Sequence, residues 1–177
     1  ELADCEVIGP QGSDPIAPPA IRADHSRILC VSSQVTGGRG SVCFGGFSCV
    51  LPGEGGSAFR LVDSTLQFYG HATATRGGPG GDYVLSPTGT GGPGGTGLHL
   101  VSSTALFAGV TPLGGQGGTG PSGPGRPGVG WIADANSNVT FASQPGPSCA
   151  GTGTPAPGAT LTLTLRAGPG DLPALLL

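Results

Sequence analysis

A ten-residue block recurs in this chain and narrows what it can fold into. Phe59-Arg60-Leu61-Val62-Asp63-Ser64-Thr65-Leu66-Gln67-Phe68 lies over Leu98-His99-Leu100-Val101-Ser102-Ser103-Thr104-Ala105-Leu106-Phe107 without a gap. Ile28 to Gly37 fits the same frame, and Leu2 to Val7 reads as the back part of another copy. Ile132 to Phe141 is a looser fifth copy, with Asp134 where the others carry Leu or Cys. A gap at that point serves equally well.

Each block alternates on both sides of a small polar pair. Alternation is the mark of a strand, and Asp, Asn and Ser bond their own backbone in turns. The block therefore predicts two short strands joined by a corner. The corner residues are Asp4, Ser32, Asp63, Ser102 and Asn136, at steps of 28, 31, 39 and 34 residues. A constant strand unit with linkers of varying length is the behaviour of stacked coils. The expected fold is all-β, a parallel β-helix or β-solenoid of about four to five coils with long Gly/Pro-rich extended loops. Residues 1–177 form one expected domain, with coils and loops over 1–150 and a strand and tail over 151–177. The strand is the strictly alternating Ala159 to Arg166.

The linkers are rich in glycine. With 37 Gly and 18 Pro in 177 residues, the composition approaches that of low-complexity sequence, yet only 10% of residues are charged, which argues against disorder. Gly77-Gly78-Pro79-Gly80-Gly81, Gly91-Gly92-Pro93-Gly94-Gly95 and Gly114-Gly115-Gln116-Gly117-Gly118 are near copies. Gly allows close backbone approach and Pro favours polyproline II geometry. These segments are expected to run extended, lie against one another and form a second layer over one face. Gly77 to Leu85 also fits a calcium-binding nonapeptide with Asp82 as ligand, but the next copies carry Thr96 and Thr119 at steps of 14 and 23 residues. That motif works in close tandem, so an ordinary Gly loop is the preferred reading. A phosphate-cradling loop is discounted, because Lys is absent and no GxxxxGK[ST] occurs.

On these blocks and their corners the chain resembles the right-handed parallel β-helix (pectin-lyase-like) superfamily, in its Gly- and Pro-rich bacterial secreted or surface versions. The resemblance spans residues 1 to about 150 and rests on coil rhythm. It implies the fold and leaves function open, since one fold hosts many roles.

Chemistry is sparse. The corner residues are expected to stack as a hydrogen-bonding ladder, because Ser32 and Ser102 interrupt the acids that a glycosidase would pair. His25, His71 and His99 occupy different frame positions, and no nucleophile elbow is present. Arg60, aligned with His99, reads as a solvated strand face rather than a contact to an anionic sugar. Of Cys5, Cys30, Cys43, Cys49 and Cys149, the pair Cys43 and Cys49 flanks a short loop and is a candidate disulfide. No zinc spacing occurs, and no catalytic residue, cofactor or metal is expected. Asn138-Val139-Thr140 is a glycosylation sequon.

Seven Arg against ten acids give a net charge of −3, without the basic footprint of nucleic-acid binding, and no apolar run is long enough to span a bilayer. No signal peptide is visible at Glu1, so a secreted chain is expected to be a mature or trimmed one. The leading expectation is a non-enzymatic extracellular or cell-surface structural protein that self-associates through its solenoid ends, into filaments if the contact does not close. A carbohydrate-binding or carbohydrate-active module is the alternative, with Trp131 and Tyr83 as sugar platforms. Ice binding is a second alternative, resting on the row Thr160, Thr162 and Thr164.

Overall fold

The computed structural model describes residues 1–12, 15–44, 51–70, 75–84, 88–142, 148–152 and 162–166, of the last two stretches the backbone alone. The strands are, in chain order, β1 (Leu2–Ala3), β2 (Glu6–Ile8), β3 (Ile21–Asp24), β4 (Arg27–Val31), β5 (Gln34–Thr36), β6 (Phe59–Val62) and β7 (Thr65–Tyr69). Then come β8 (Thr75–Arg76), β9 (Leu98–Val101), β10 (Thr104–Ala108), β11 (Trp131–Ala133), β12 (Asn138–Ala142), β13 (Ser148–Thr152) and β14 (Thr162–Arg166). No helix occurs among the described residues.

Three sheets are wholly parallel, with orders β3-β6-β9-β11, β1-β4-β7-β10-β12 and β2-β5-β8. From β1 to β10 the chain visits them in turn, each strand laid beside the strand of the pass before, and after β10 it returns to β11 with only the bridge of Leu113 to Arg76 on the third side. This all-β, parallel architecture is the one the repeat predicts. β13 and β14 are the exception, an antiparallel pair that sets Cys149 opposite Leu165.

Alternation puts one side of every strand inward. Phe59, Leu61, Leu66, Phe68, Leu98, Leu100 and Phe107 are fully buried in one core, with Cys30 and Val35. Phe68, Phe107 and Phe141 share a register position and stack at 5.8 and 5.9 Å, while Phe59 meets Phe68 edge-on at 6.1 Å. Offset and edge-on rings each add about 0.5–1.5 kcal/mol beyond their buried area.

Between passes the glycine segments build the expected second layer, which proves to be two. One holds residues 9–12, 37–43, 76–83 and 113–119, side by side and parallel. Gly12, Gly40 and Gly80 donate to the carbonyls of Arg39, Pro79 and Gln116 at 2.8–2.9 Å. The other holds residues 15–20, 53–58, 91–97 and 125–130, where Ala17, Gly55 and Gly94 donate to Glu54, Pro93 and Arg126 at 2.9–3.0 Å. Across the layers the segments run antiparallel. Gly78 and Gly81 donate to Gly56 and Gly53, and Gly95 and Gly92 donate back to Gly78 and Gly81, all at 2.8–2.9 Å. Donors three residues apart point the same way, which is the period of polyproline II. Two positions of each turn face neighbours, and the third, as at Pro10, Arg39, Pro79 and Gln116, faces solvent.

Glycine is required there by contact. A Cβ on Gly78 would run into the carbonyl oxygen of Gly38, and one on Gly40 into that of Gly53. A polyproline bundle this tight leaves its donors paired within the protein, which answers where the backbone groups of such a chain go.

Candidate functional site

The corner residues were the first candidates, and the sheets divide them. Each corner is a two-residue unit whose first member is left-handed: Asp4 (φ 47°), His25 (48°), Ser32 (49°), Asp63 (46°) and Ser102 (48°). Asp4 and Ser32 lie between the β1-β4 sheet and the β2-β5 sheet. His25, Asp63 and Ser102 lie between the β3-β6-β9 sheet and the β4-β7-β10 sheet. The single ladder is thus two columns. The slip has a physical cause. Both corners use the same chemistry, so matching Ser32 with Asp63 aligned unlike corners. The sheets set Ile21 opposite Phe59, and Ile28 opposite Leu66. Sequence reasoning missed His25-Ser26, although Asp24-His25-Ser26 interrupts two alternating runs as plainly as Asp63-Ser64 does.

Asn136 belongs to neither column. Trp131 pairs with Leu98 while Asn138 pairs with Thr104, so one extra residue enters the last corner, the gap reading of the fifth copy. There Asp134 replaces a backbone acceptor. Both its carboxylate oxygens accept the Ser102 N–H at 3.1 Å, and the Ser137 hydroxyl donates to Oδ1 at 2.5 Å. The Ser137 hydroxyl, then the backbone N–H groups, hold the Asp134 carboxyl below its ordinary value.

The second corner residue carries the ladder itself. Ser26 N–H donates to Ser64 Oγ at 3.0 Å, Ser64 N–H to Ser103 Oγ at 3.0 Å, and Ser103 N–H to Ser137 Oγ at 2.9 Å. The Ser64 and Ser103 hydroxyls donate to Val62 and Val101 carbonyls at 2.7 Å. Every hydroxyl of this buried run is consumed. Asp63 has His25 and Ser102 as column neighbours. Its closest ionic contact is 3.9 Å, to His25, whose side chain is 80% exposed. Nothing here aligns two carboxylates on a substrate.

Asp82 is occupied in another way. Oδ1 accepts the Thr119 N–H at 2.7 Å and the Thr119 hydroxyl at 2.8 Å, and Oδ2 accepts from the Arg39 guanidinium. The carboxyl is held below its usual range, first by the Thr119 N–H, then by the Thr119 hydroxyl and Arg39, against burial. It ties together the segments of Arg39, Asp82 and Thr119, three neighbours in one glycine layer. A calcium ligand role is displaced by this lock, and no group of three metal-ligating side chains occurs among the described residues.

Cys5 and Cys30 are free thiols, and burial pushes Cys30 up to about 12, with Cys5 nearby adding to the rise. Such a thiol is inert at neutral pH. Cys43 is buried and is not among the free thiols. Its candidate partner Cys49 lies outside the described residues, as do Thr160 and the side chains of Cys149, Thr162 and Thr164. Asn138 and Thr140 of the sequon both stand exposed on β12. Arg22, Arg60 and His99 share an outward register column on β3, β6 and β9, with Arg22 paired to Asp24 at 3.3 Å. Tyr83 is half-buried, its ring lying over Gly89.

An apolar face is exposed among the described residues at the end of the stack, on β11 and β12. Trp131 is 46% exposed and Phe141 43%, their rings 5.2 Å apart, with Val129 and Ile132 beside them. This set, more than any polar cluster, is the candidate functional surface of an all-β protein built from parallel sheets. No protein-family profile matches the chain, and no curated protein or solved structure matches it either.

Proposed function

We propose that the chain is an extracellular structural or surface protein, a parallel β-solenoid of about four to five coils that self-assembles by stacking end on end, head to tail, into filaments. The observation that carries this reading is the end at β11 and β12. It combines strand edges that no described strand covers with exposed Trp131, Ile132 and Phe141. Natural solenoids cover such ends with polar caps, and open edges recruit further strands. Regular parallel register through β3-β6-β9-β11 supports a parallel β-solenoid. Exposed Asn138 and Thr140 leave the sequon accessible to glycosylation, in keeping with a surface location. The reading assigns no catalytic role, because the polar side chains of the corners and of Asp82 are spent on structure.

Negative-stain microscopy and light scattering over a concentration series test it. Rods or filaments that lengthen with concentration are expected. Discrete particles of monomer mass at every concentration would sink the assembly role. A second reading, carbohydrate binding, is favoured by the half-exposed Trp131 ring alone. A glycan screen with Trp131→Ala as the control separates the two.

A further inference from the structure

Inside the stack each pass covers the apolar side chains of the one before. Cys30, Phe68 and Phe107 occupy one inward column and are fully buried. Phe141 continues that column and is 43% exposed. Phe59 and Leu98 occupy a second column and are fully buried, whereas Trp131, next in register, is 46% exposed. The chain therefore presents at β11 and β12 the same face that its inner passes bury, and no strand lies beyond either edge among the described residues.

A cover for this face has a defined chemistry. It must bring a strand parallel to β12 at about 4.8 Å, with inward apolar residues two positions apart. The free edges at the other end of the stack carry that chemistry: Leu2 of β1 stands in the register column of Cys30, Phe68, Phe107 and Phe141, and Ile21 and Ala23 of β3 stand two positions apart in the columns that end at Trp131 and Ala133. We propose that a second copy of this chain seats on the β11–β12 end, pairing a strand with β12 and burying Trp131 and Phe141. The seat continues the packing between β10 and β12. It rests on the stacking function proposed above and adds the surface through which stacking occurs.

Trp131 is the only tryptophan in the chain, so its emission reports on the seat alone. The experiment follows Trp131 emission, acrylamide quenching and light scattering of the full chain from dilute to concentrated solution. As scattering rises, the emission is expected to move to the blue and quenching to fall. Phe141→Ser is expected to weaken association about tenfold or more, the behaviour of a buried aromatic at the centre of an interface. If that variant unfolds by circular dichroism, Ala133→Lys, which sets a charge at the exposed end of the inward Leu100 column and removes little packing, carries the same expectation. Rising scattering with unchanged Trp131 emission would leave the stacking function standing and overturn this seat. A monomer with shielded Trp131 at every concentration would also overturn it, because the chain's own later residues would then be the cover. A monomer with open Trp131 throughout would overturn both.

Discussion

Replacing Gly78 by Ala tests whether the glycine bundle is held by contact or only tolerates glycine. Nothing in the Gly78 backbone calls for glycine by conformation, since it is not among the residues of positive φ. Space is the issue. The new Cβ would collide with the Gly38 carbonyl oxygen and stand 2.6 Å from the Gly37 carbonyl oxygen. An ordinary carbon–oxygen contact is about 3.3 Å or more, so the segments must part by roughly an ångström. Two hydrogen bonds join the segments that must part, Gly37 N–H to Arg76 and Gly40 N–H to Pro79, both at 2.9 Å, and Gly78 N–H to Gly56 at 2.8 Å with Gly56 N–H to Gly38 at 2.7 Å tie both segments to a third. Stretched that far, each loses most of a net value of about 0.5–1.5 kcal/mol, and a buried donor left unpaired costs about 1–3 kcal/mol. Against this, Ala lowers the entropy of the unfolded chain and offsets about 0.4–1 kcal/mol. The expected loss is about 3 kcal/mol, read as a fall in the urea midpoint at constant slope. Gly123→Ala is the control. It has nothing within 4 Å but a φ of +127°, so it tests backbone strain without crowding and should lose only about 1 kcal/mol. If Gly78→Ala loses no more than Gly123→Ala, the bundle is looser than its contacts state and the reasoning fails.

Three further perturbations test other parts of the stack. Thr75 is fully buried, and its Oγ1 has no hydrogen-bond partner among the described residues, while the register partner is Val35. Thr75→Val is expected to raise stability by about 1 kcal/mol in thermal unfolding, and a loss would mean the hydroxyl has a partner. Ser103→Ala strips the Ser64 N–H of its acceptor inside the corner and should cost about 1–3 kcal/mol, whereas Ser102→Ala on the exposed side should cost less, a contrast read by urea titration. Asp82→Asn is expected to destabilise the chain at neutral pH. Because the folded carboxyl is held below 3.8, the wild-type advantage is complete above that value and fades as pH falls through the lowered one, so the two melting curves should converge in strong acid.

Much of the architecture is written in period-two alternation. Phe59 to Phe68 and Leu98 to Phe107 announced β6, β7, β9 and β10, and the structure pairs them in the register that the repeat supplies. The tie between corners was harder to read. Ser32-Ser33 and Ser102-Ser103 are the same dipeptide doing the same work at different edges of the core, a left-handed residue followed by a buried hydroxyl. Only the pairing partner tells them apart, and pairing is a long-range property. Asp82 illustrates the same limit. The spacing of its copies argued for an ordinary Gly loop over calcium, but its partners Arg39 and Thr119 lie 43 and 37 residues away and become neighbours only through the stacking of glycine segments. The exposed end was illegible for a different reason. Trp131 and Phe141 occupy positions that are core in every earlier pass, so their pattern marks them as inward and carries no sign of whether another strand covers them.

The two halves of the fold divide the work in a way that bears on where function can sit. On the sheet side, stability comes from side chains, and a change at Phe68 or Phe107 is felt by the neighbours above and below. On the glycine side, it comes mainly from backbone, with the Asp82 side chain tying three segments, and in Gly77 to Gly81 and Gly91 to Gly95 the positions between neighbours are all glycine. The third position is the opposite case. Pro10, Arg39, Pro79 and Gln116 point outward from successive segments of one layer, and Pro93 and Arg126 from the other. Arg39 apart, whose guanidinium joins the Asp82 lock, such a column can change its chemistry without touching the bonds between segments, since those use N–H and C=O groups. On the proposed assembly, the lateral faces would serve display and the β11–β12 end contact between copies, and the low charge of the chain, 10% of residues, would limit like-charge repulsion there.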